Sequence, residues 1–298
     1  MIMDTSITIK QQSPHSFNYR LKKSFNLAGR YFILILIGFF FLFPIIFMFV
    51  SSIKNNETQI IRDMSNIRAF IPYGELGIKN YINVFEQMPF GRFMFNSVFI
   101  VSSTVLGGLL VNSMLAYSLS RLRFKGRHLI LALVIALIII PTESIVIPLL
   151  LMVNRIGWLD SYQVQIVPFI ADAFSIFLFY QFFIGLPKSL DEAATIDGAS
   201  PFQVYWRIIV PLSKPVFATV AILQYLVRWG DFLWPLMVTR GYEYRPLPVA
   251  IQQFFSQDPK VWGDIFAFAS MITIPSLVIF LIFQKWFVQS VASSGTKG

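Results

Sequence analysis

Four ionisable side chains lie inside long apolar stretches of the sequence: Glu143, Asp172, Arg228 and Asp231. Charge within a membrane is costly, so such residues are by default candidates for a binding site or an ion pathway. A helix rise of about 1.5 Å per residue places all four in the outer half of a bilayer. That position fits a water-filled cavity open to the outside, while ion pairing or extension to the interface is the structural alternative.

Other kinds of chemistry lack the residues that they need. The chain has no cysteine and two histidines, His15 and His128, which flank apolar stretches, so thiolate chemistry and a histidine metal site are not expected. It has no G-x-x-x-x-G-K-[ST] phosphate loop and no cluster of nucleophile and base. We therefore expect neither ATP hydrolysis by this chain nor any other enzyme activity, and no catalytic residue is assigned.

The composition is that of a membrane protein. Hydrophobic residues make up 56% of the 298 residues and charged residues 13%, whereas about a quarter of the residues in soluble domains are charged. Six stretches reach the roughly 20 residues that span a bilayer as a helix, which predicts an all-α membrane protein with six transmembrane helices. The predicted spans are Tyr31–Ser52, Phe95–Ser120, Leu129–Val153, Val164–Leu186, Pro215–Val238 and Ile265–Phe283.

The distribution of Lys and Arg predicts the orientation, because these residues collect in short cytoplasmic loops. Four of them lie within residues 121–127, after span two, and five lie within residues 1–30. Both termini are therefore predicted to be cytoplasmic, with 1–30 as a cytoplasmic tail and 31–298 as one transmembrane domain. The Lys and Arg residues that give the net charge of +9 lie mainly on one predicted side of the membrane, so the charge does not indicate nucleic-acid binding.

The loop after span four reads SLDEAATIDGASPFQVYWRIIVPLSKP and begins with signals for a short helix. Ser189 and Glu192 have the S-x-x-E spacing of a capping box. Gly198 suits the left-handed residue that stops a helix.

The same loop then has signals for a second short helix. Ser200 suits the cap and Pro201 the first helical position, and Pro211 is expected to end the helix. By local pattern alone, this pair of helices fits an amphipathic loop on the membrane surface as well as it fits a docking element.

The complete string resembles the EAA loop of binding-protein-dependent importer permeases, which reads E-A-A, three residues, Gly, nine residues, I-x-L-P. Val210 stands where that family usually has Leu. The matching residues are Glu192, Ala193, Ala194, Gly198, Ile208 and Pro211.

The similarity extends over most of the chain after span one and is greatest to carbohydrate permeases of the maltose-transporter type. Span five resembles the family's W-N-D-F-x-x-P, with Gly230 in place of Asn, and the C-terminal end resembles its terminal signature, with Ser290 in place of Gly. Positions that carry these two matches are Trp229, Asp231, Phe232, Pro235, Gln284, Phe287 and Lys297–Gly298.

The resemblance implies the type I fold of ATP-binding-cassette importer permeases, with a core at 95–290 and a cytoplasmic coupling loop at 186–215. It implies that this loop docks in a groove on an ATPase subunit and transmits the motion of that subunit. Ala193, Ala194 and Ile196 are expected to press into the groove, Glu192 and Asp197 to contact its rim.

The resemblance also implies the partners. They are a homologous second permease, two ATPase subunits that bind the ATP and Mg, an extracytoplasmic solute-binding protein, an oligosaccharide substrate and the lipid of the bacterial inner membrane. No cofactor is expected in this chain itself.

Span five is the candidate substrate path under this interpretation. Aromatic faces stack on sugar rings and planar polar groups bind hydroxyls, so Tyr225, Arg228, Trp229 and Asp231 are the candidate contacts, with Glu143 and Asp172 added from other spans. Arg228 and Asp231 are three residues apart and can pair on one helix face. A free Arg228 fits an acidic sugar, whereas a paired one fits a neutral sugar.

Two other classes of function are weaker alternatives. An ion-coupled secondary transporter or channel would explain the spans and the charges within them, but not the EAA loop. A membrane-embedded enzyme would need a cluster of catalytic groups, which the sequence lacks.

Overall fold

The computed structural model describes the backbone of residues 15–295 and the side chains of residues 27–284. Over these residues the chain is helical, as predicted, and β pairing is limited to one isolated bridge between Lys54 and Leu76. The first half contains α1 His15–Ser52, α2 Glu57–Asp63, α3 Lys79–Gln87, α4 Phe90–Arg121, α5 Arg127–Ile139, α6 Thr142–Arg155, α7 Tyr162–Ile166 and α8 Ala173–Ile184. The second half contains α9 Ser189–Ile196, α10 Pro201–Val204, α11 Val210–Leu212, α12 Lys214–Trp229, α13 Leu233–Val238, α14 Leu247–Ala250, α15 Gln252–Phe255 and α16 Trp262–Gly295.

Some predictions fall outside the described residues. They are the first 14 residues of the tail, the Lys297–Gly298 match, and the side chains of Phe287 and Ser290. Within the described part, α1 begins at His15 and not at the predicted Tyr31, so half of the predicted tail is helical.

Four helical segments are long and apolar enough to cross a membrane unaided: Leu27–Ser52, Phe90–Arg121, Tyr162–Ile184 and Trp262–Gln284. Two bent helix pairs raise the count to six if each pair is one span. These pairs are Arg127–Ile139 with Thr142–Arg155, bent by 104°, and Pro201–Leu212 with Lys214–Trp229, bent by 79°. A count of six spans is therefore consistent with the structure, although the second pair includes residues 201–212 of the predicted loop. Three of the predicted spans are not continuous helices.

Predicted span three breaks at Ile140, between α5 and α6. Ile140 is extended, with φ −78° and ψ 119°, because Pro141 disfavours helical backbone at the residue before it. Spans four and five break in different ways. Asp172 interrupts span four with extended backbone and caps α8, and Gly230 ends α12, where glycine is a poor helix former.

Helix α4 is the central element of the bundle. It packs against α8 and α12, and its buried face contributes Phe93 and Val101 to one apolar cluster and Ala116 and Tyr117 to another. Between helices in a bilayer, contacts of this kind stabilise the bundle mainly through van der Waals packing.

The loops divide between two ends of the bundle as the predicted alternation requires. We call the end of the bundle that carries residues 186–213 the loop end. There Arg121, at the end of α4, donates to Asp191. At the opposite end, Arg92 of α4 donates to the carbonyl of Glu243, and Asp160 accepts from the amide of Arg240. Which end faces the cytoplasm stays a prediction.

A buried ion pair holds the segment between α1 and α3. Lys54 Nζ lies 3.0 Å from Asp63 Oδ2, and both side chains are almost completely buried. Burial alone would raise the pKa of Asp63, but hydrogen bonds from Tyr73 and Lys54 and the charges of Lys54 and Arg62 keep that pKa below its ordinary value. The Asp63 carboxylate is therefore ionised at neutral pH, and its bond to Lys54 fixes this segment.

Candidate functional site

The loop between α8 and α12 forms two short helical arms joined at Gly198. Gly198 has φ +78°, so the predicted left-handed stop is confirmed. The second arm begins as predicted, with Ser200 accepting from the Gln203 amide and Pro201 in the first helical position. The predicted capping box at Ser189 is wrong, because α9 starts one residue earlier with Lys188 as its cap and no side-chain capping bond.

The second arm departs from the sequence prediction at its end. Tyr205–Ile209 forms a π-helical turn, and the arm continues through Pro211 to Leu212. Pro211 therefore lies inside the last turn and does not end the helix. Ile209, the last residue of the π turn, lies in the core, whereas Pro211 is exposed.

The predicted coupling residues have different exposures. Ile196 is 86% exposed, whereas Ala194 is buried against the second arm and Ile208 is half-buried in the same cluster. Ala194 therefore packs within the chain and is not available to a partner groove, which corrects its predicted contact. The exposed members of the predicted set are Glu192, Ala193, Ile196, Asp197, Gly198 and Pro211.

Three polar residues of α4 hold the two arms. The Ser113 and Tyr205 hydroxyls are 2.7 Å apart, and the Tyr117 hydroxyl donates to the carbonyl of Pro201 at 3.0 Å. Arg121 Nη1 lies 2.7 Å from Asp191. Sequence reasoning missed these roles, although a polar residue at every fourth position of an apolar helix is a signal that was available.

Arg121 also binds the end of α8. Its Nη2 donates to the carbonyl of Phe183 in the last turn of α8 and to that of Leu186 just beyond the helix. The guanidinium is 4% exposed, so this one side chain joins α4, α8 and α9 in a largely dry environment.

The second predicted site, around Arg228, contains an ion pair. Arg228 Nη1 lies 3.1 Å from Asp231 Oδ2, and the guanidinium stacks on the ring of Phe169 at 4.1 Å. A cavity of about 100 Å³ adjoins the pair and is also lined by Glu143 and Trp234. The structure thus brings Glu143, Arg228 and Asp231 together.

Tyr225 and Trp229 lie on a different face of α12. Their rings stack with centroids 5.4 Å apart, and both line an apolar cavity of about 580 Å³ between α4, α12 and α16. Tyr225 therefore lines a different cavity from Arg228 and Asp231, whereas Trp229 also lines a small cleft with those two residues. Trp229 also donates to the carbonyl of Ile272.

Asp172 caps the start of α8 and joins it to α4. Its carboxylate accepts from the Ser175 amide at 2.7 Å, and its own amide donates to Asn112 of α4. Among the residues described, no group of three or more His, Asp or Glu side chains is arranged to hold a metal ion.

Comparison with known proteins identifies the family. Residues 105–293 match the family described as "Binding-protein-dependent transport system inner membrane component". The chain is 33% identical to the arabinooligosaccharides transport system permease protein AraQ of Bacillus subtilis, over 88% of this chain and 93% of that protein. It is 32% identical to the trehalose/maltose transport system permease protein MalG of Thermococcus litoralis. That match covers 89% of this chain and 94% of MalG.

A solved structure confirms the fold. The chain matches one chain in the crystal structure of a bacterial ABC transporter involved in the import of the acidic polysaccharide alginate, with a TM-score of 0.78. The match covers 93% of this chain and 100% of that one, at 24% identity. The type I permease fold and the assignment as a permease rather than an enzyme agree with the sequence predictions. The chain belongs to the inner membrane components of binding-protein-dependent transport systems.

Proposed function

We propose that this chain is a transmembrane subunit of an ATP-driven importer in the bacterial inner membrane. The importer takes an oligosaccharide from an extracytoplasmic binding protein and releases it into the cytoplasm. A homologous second permease completes the pathway, and two ATPase subunits bind ATP and Mg at the loop end, which we place in the cytoplasm.

The exposed tip of the loop carries this proposal. Ile196 is 86% exposed and Ala193, three residues before it, is exposed as well. Residues three apart share a helix face, so α9 presents a small apolar face while its other side, through Ala194, is packed on the chain. A short apolar face of this kind suits a groove on another protein.

The acidic residues beside that face fit the rim of such a groove. Glu192 and Asp197 are exposed on either side of the apolar pair. A methyl group placed on the Cα of Gly198 would meet no atom within 4 Å, which leaves room for a partner at the bend.

The saccharide assignment is supported by the relatives and by span five. AraQ and MalG are named for arabinooligosaccharides and for trehalose and maltose. Tyr225 and Trp229 present stacked rings to the larger cavity, and sugars pack well on aromatic faces. We assign Arg228 to the ion pair with Asp231, which favours a neutral sugar over an acidic one.

The coupling role is tested by Gly198→Asp and Glu192→Lys in the assembled transporter. Gly198→Asp places an unmatched charge at the bend that faces the groove, and Glu192→Lys reverses a charge at its rim, so transport should fall severely while the chain still inserts. The ATPase should dissociate or lose its stimulation by loaded binding protein. Gly198→Ala is the matched control, because it adds the cost of a left-handed side chain without a charge. Normal assembly and stimulation in both charged variants would refute the role.

A further inference from the structure

Helix α4 is unusual among the spans because it is unbroken and is held at both ends. Its 32 residues extend about 48 Å at about 1.5 Å per residue. Predicted spans three, four and five are interrupted, and α1 and α16 make no side-chain hydrogen bond to the loop 186–213 among the residues whose side chains are described. Within that part of the chain, α4 alone is bonded by side chains to both ends of the bundle.

At the loop end the bonds come from Ser113, Tyr117 and Arg121. These residues are spaced by four, so they share one face of α4. They reach both arms of the loop and the end of α8. Ser113 is completely buried and Arg121 nearly so, which makes each bond costly to break.

At the opposite end the bonds come from Asn96 and Ser97. Asn96 Nδ2 donates to the carbonyls of Glu243 and Arg245, both at 2.9 Å, and its Oδ1 accepts from the Tyr162 hydroxyl at 2.7 Å. Ser97 Oγ accepts from the amide of Leu247 at 2.8 Å. Asn96 is completely buried, so its amide group fixes the segment 239–247 to the start of α4.

We propose that α4 is the mechanical link through which the loop 186–213 and the segment 239–247 move together. Asn96 and Arg121 are separated by about 37 Å of continuous helix. The covalent route from the loop to the segment runs through α12 and α13 and is interrupted at Gly230, so α4 is the continuous path. Movement of the loop by the ATPase then displaces the segment at the far end, and movement of that segment displaces the loop. This inference rests on the proposed function as an ATP-driven importer.

The alternative is that the two sets of bonds only stabilise the fold. The alternatives differ in how distant substitutions combine. Independent effects at sites more than about 10 Å apart add in free energy, and therefore multiply as fold-changes. If both ends belong to one link, breaking either end disconnects it, and breaking the second end adds little.

The test uses the complete transporter reconstituted with its second permease, ATPase and binding protein. The variants are Asn96→Ala, Arg121→Gln and their combination, and the readout is stimulation of ATP hydrolysis by loaded binding protein. Each single variant should reduce stimulation about tenfold, and the combination should fall no further. Ser118→Ala is the control, because that hydroxyl bonds only to its own helix at Met114. Multiplied losses, or wild-type stimulation in both single variants, would overturn the proposal. Absence of stimulation in the wild-type transporter would instead count against the proposed function.

A second measurement requires no substitution in the bonded residues. The chain has no native cysteine, so spin labels can be placed at Thr195→Cys on α9 and Leu106→Cys on α4, both exposed in the chain. The distance between them should stay the same with and without ATP if the loop and α4 move as one body. A change of distance on ATP binding would show that the loop moves independently of α4 and would overturn the link.

Discussion

The exposed apolar face of α9 allows the docking role to be separated from folding by one substitution, Ile196→Ala. Fully burying an isoleucine is worth about 1.5–3 kcal/mol, and 86% of Ile196 remains available for burial by a partner. Truncation to alanine should therefore weaken binding of the ATPase by about 1–2 kcal/mol, or roughly 5–30-fold. The unfolding temperature of the permease alone should not change, because the side chain makes few contacts within the chain.

The assay titrates the solubilised permease pair with its ATPase subunit and records thermal unfolding of the same samples without ATPase. Ile139→Ala is the matched control, since Ile139 is 79% exposed but lies at the far end of α5. It should leave the affinity for the ATPase unchanged. Wild-type affinity in Ile196→Ala, or equal loss in both variants, would refute the assignment of this face.

Three further outcomes are expected. Asp63→Asn leaves the Lys54 ammonium buried without its partner and should destabilise the chain by about 3–5 kcal/mol in thermal unfolding. The pKa of Asp63 is lowered in the folded chain. The contribution of the ionised Asp63 to stability is therefore present above about pH 4 and should be lost as the pH falls through the folded pKa. Stability that does not change with pH in this range would contradict the assignment. Arg228→Gln should affect transport of matched neutral and uronate oligosaccharides equally, and selective loss of the uronate would show that the guanidinium binds substrate. A tag inserted at Gly126 should be accessible only from the cytoplasm, and a tag inserted at Gly241 only from outside. The reverse pattern would show that the predicted orientation is wrong.

Local sequence signals predicted the shape of the loop 186–213 well, because neighbouring residues determine its backbone geometry. Gly198, Ser200 and Pro201 each act within a few positions of themselves, and the bend and the second cap follow directly. The prediction for Ser189 was wrong because α9 already begins at Ser189, so that Lys188 and not Ser189 occupies the cap position. Periodicity alone could not choose between these two starting points.

Apolar length predicted the spans but not their continuity. Hydropathy averages over about 19 residues, so it is insensitive to one extended residue before Pro141 or to the cap formed by Asp172. Contacts between residues distant in sequence were also beyond a single sequence. The partners of Asn96 and Arg121 lie about 150 and 70 residues away, and neither residue type specifies which carbonyl or carboxylate it will meet.

The bend after α5 has a consequence for the lipid around the protein. The 13 residues of α5 cover only about 20 Å along the helix axis, whereas the hydrocarbon layer is about 30 Å thick. A single short helix at a lipid boundary creates hydrophobic mismatch, which is relieved by local thinning of the bilayer or by association with another protein. The flank at α5 is thus poorly matched to lipid while the chain is alone, so an unassembled copy should deform the membrane and be recognised more readily by quality-control proteases than the assembled one.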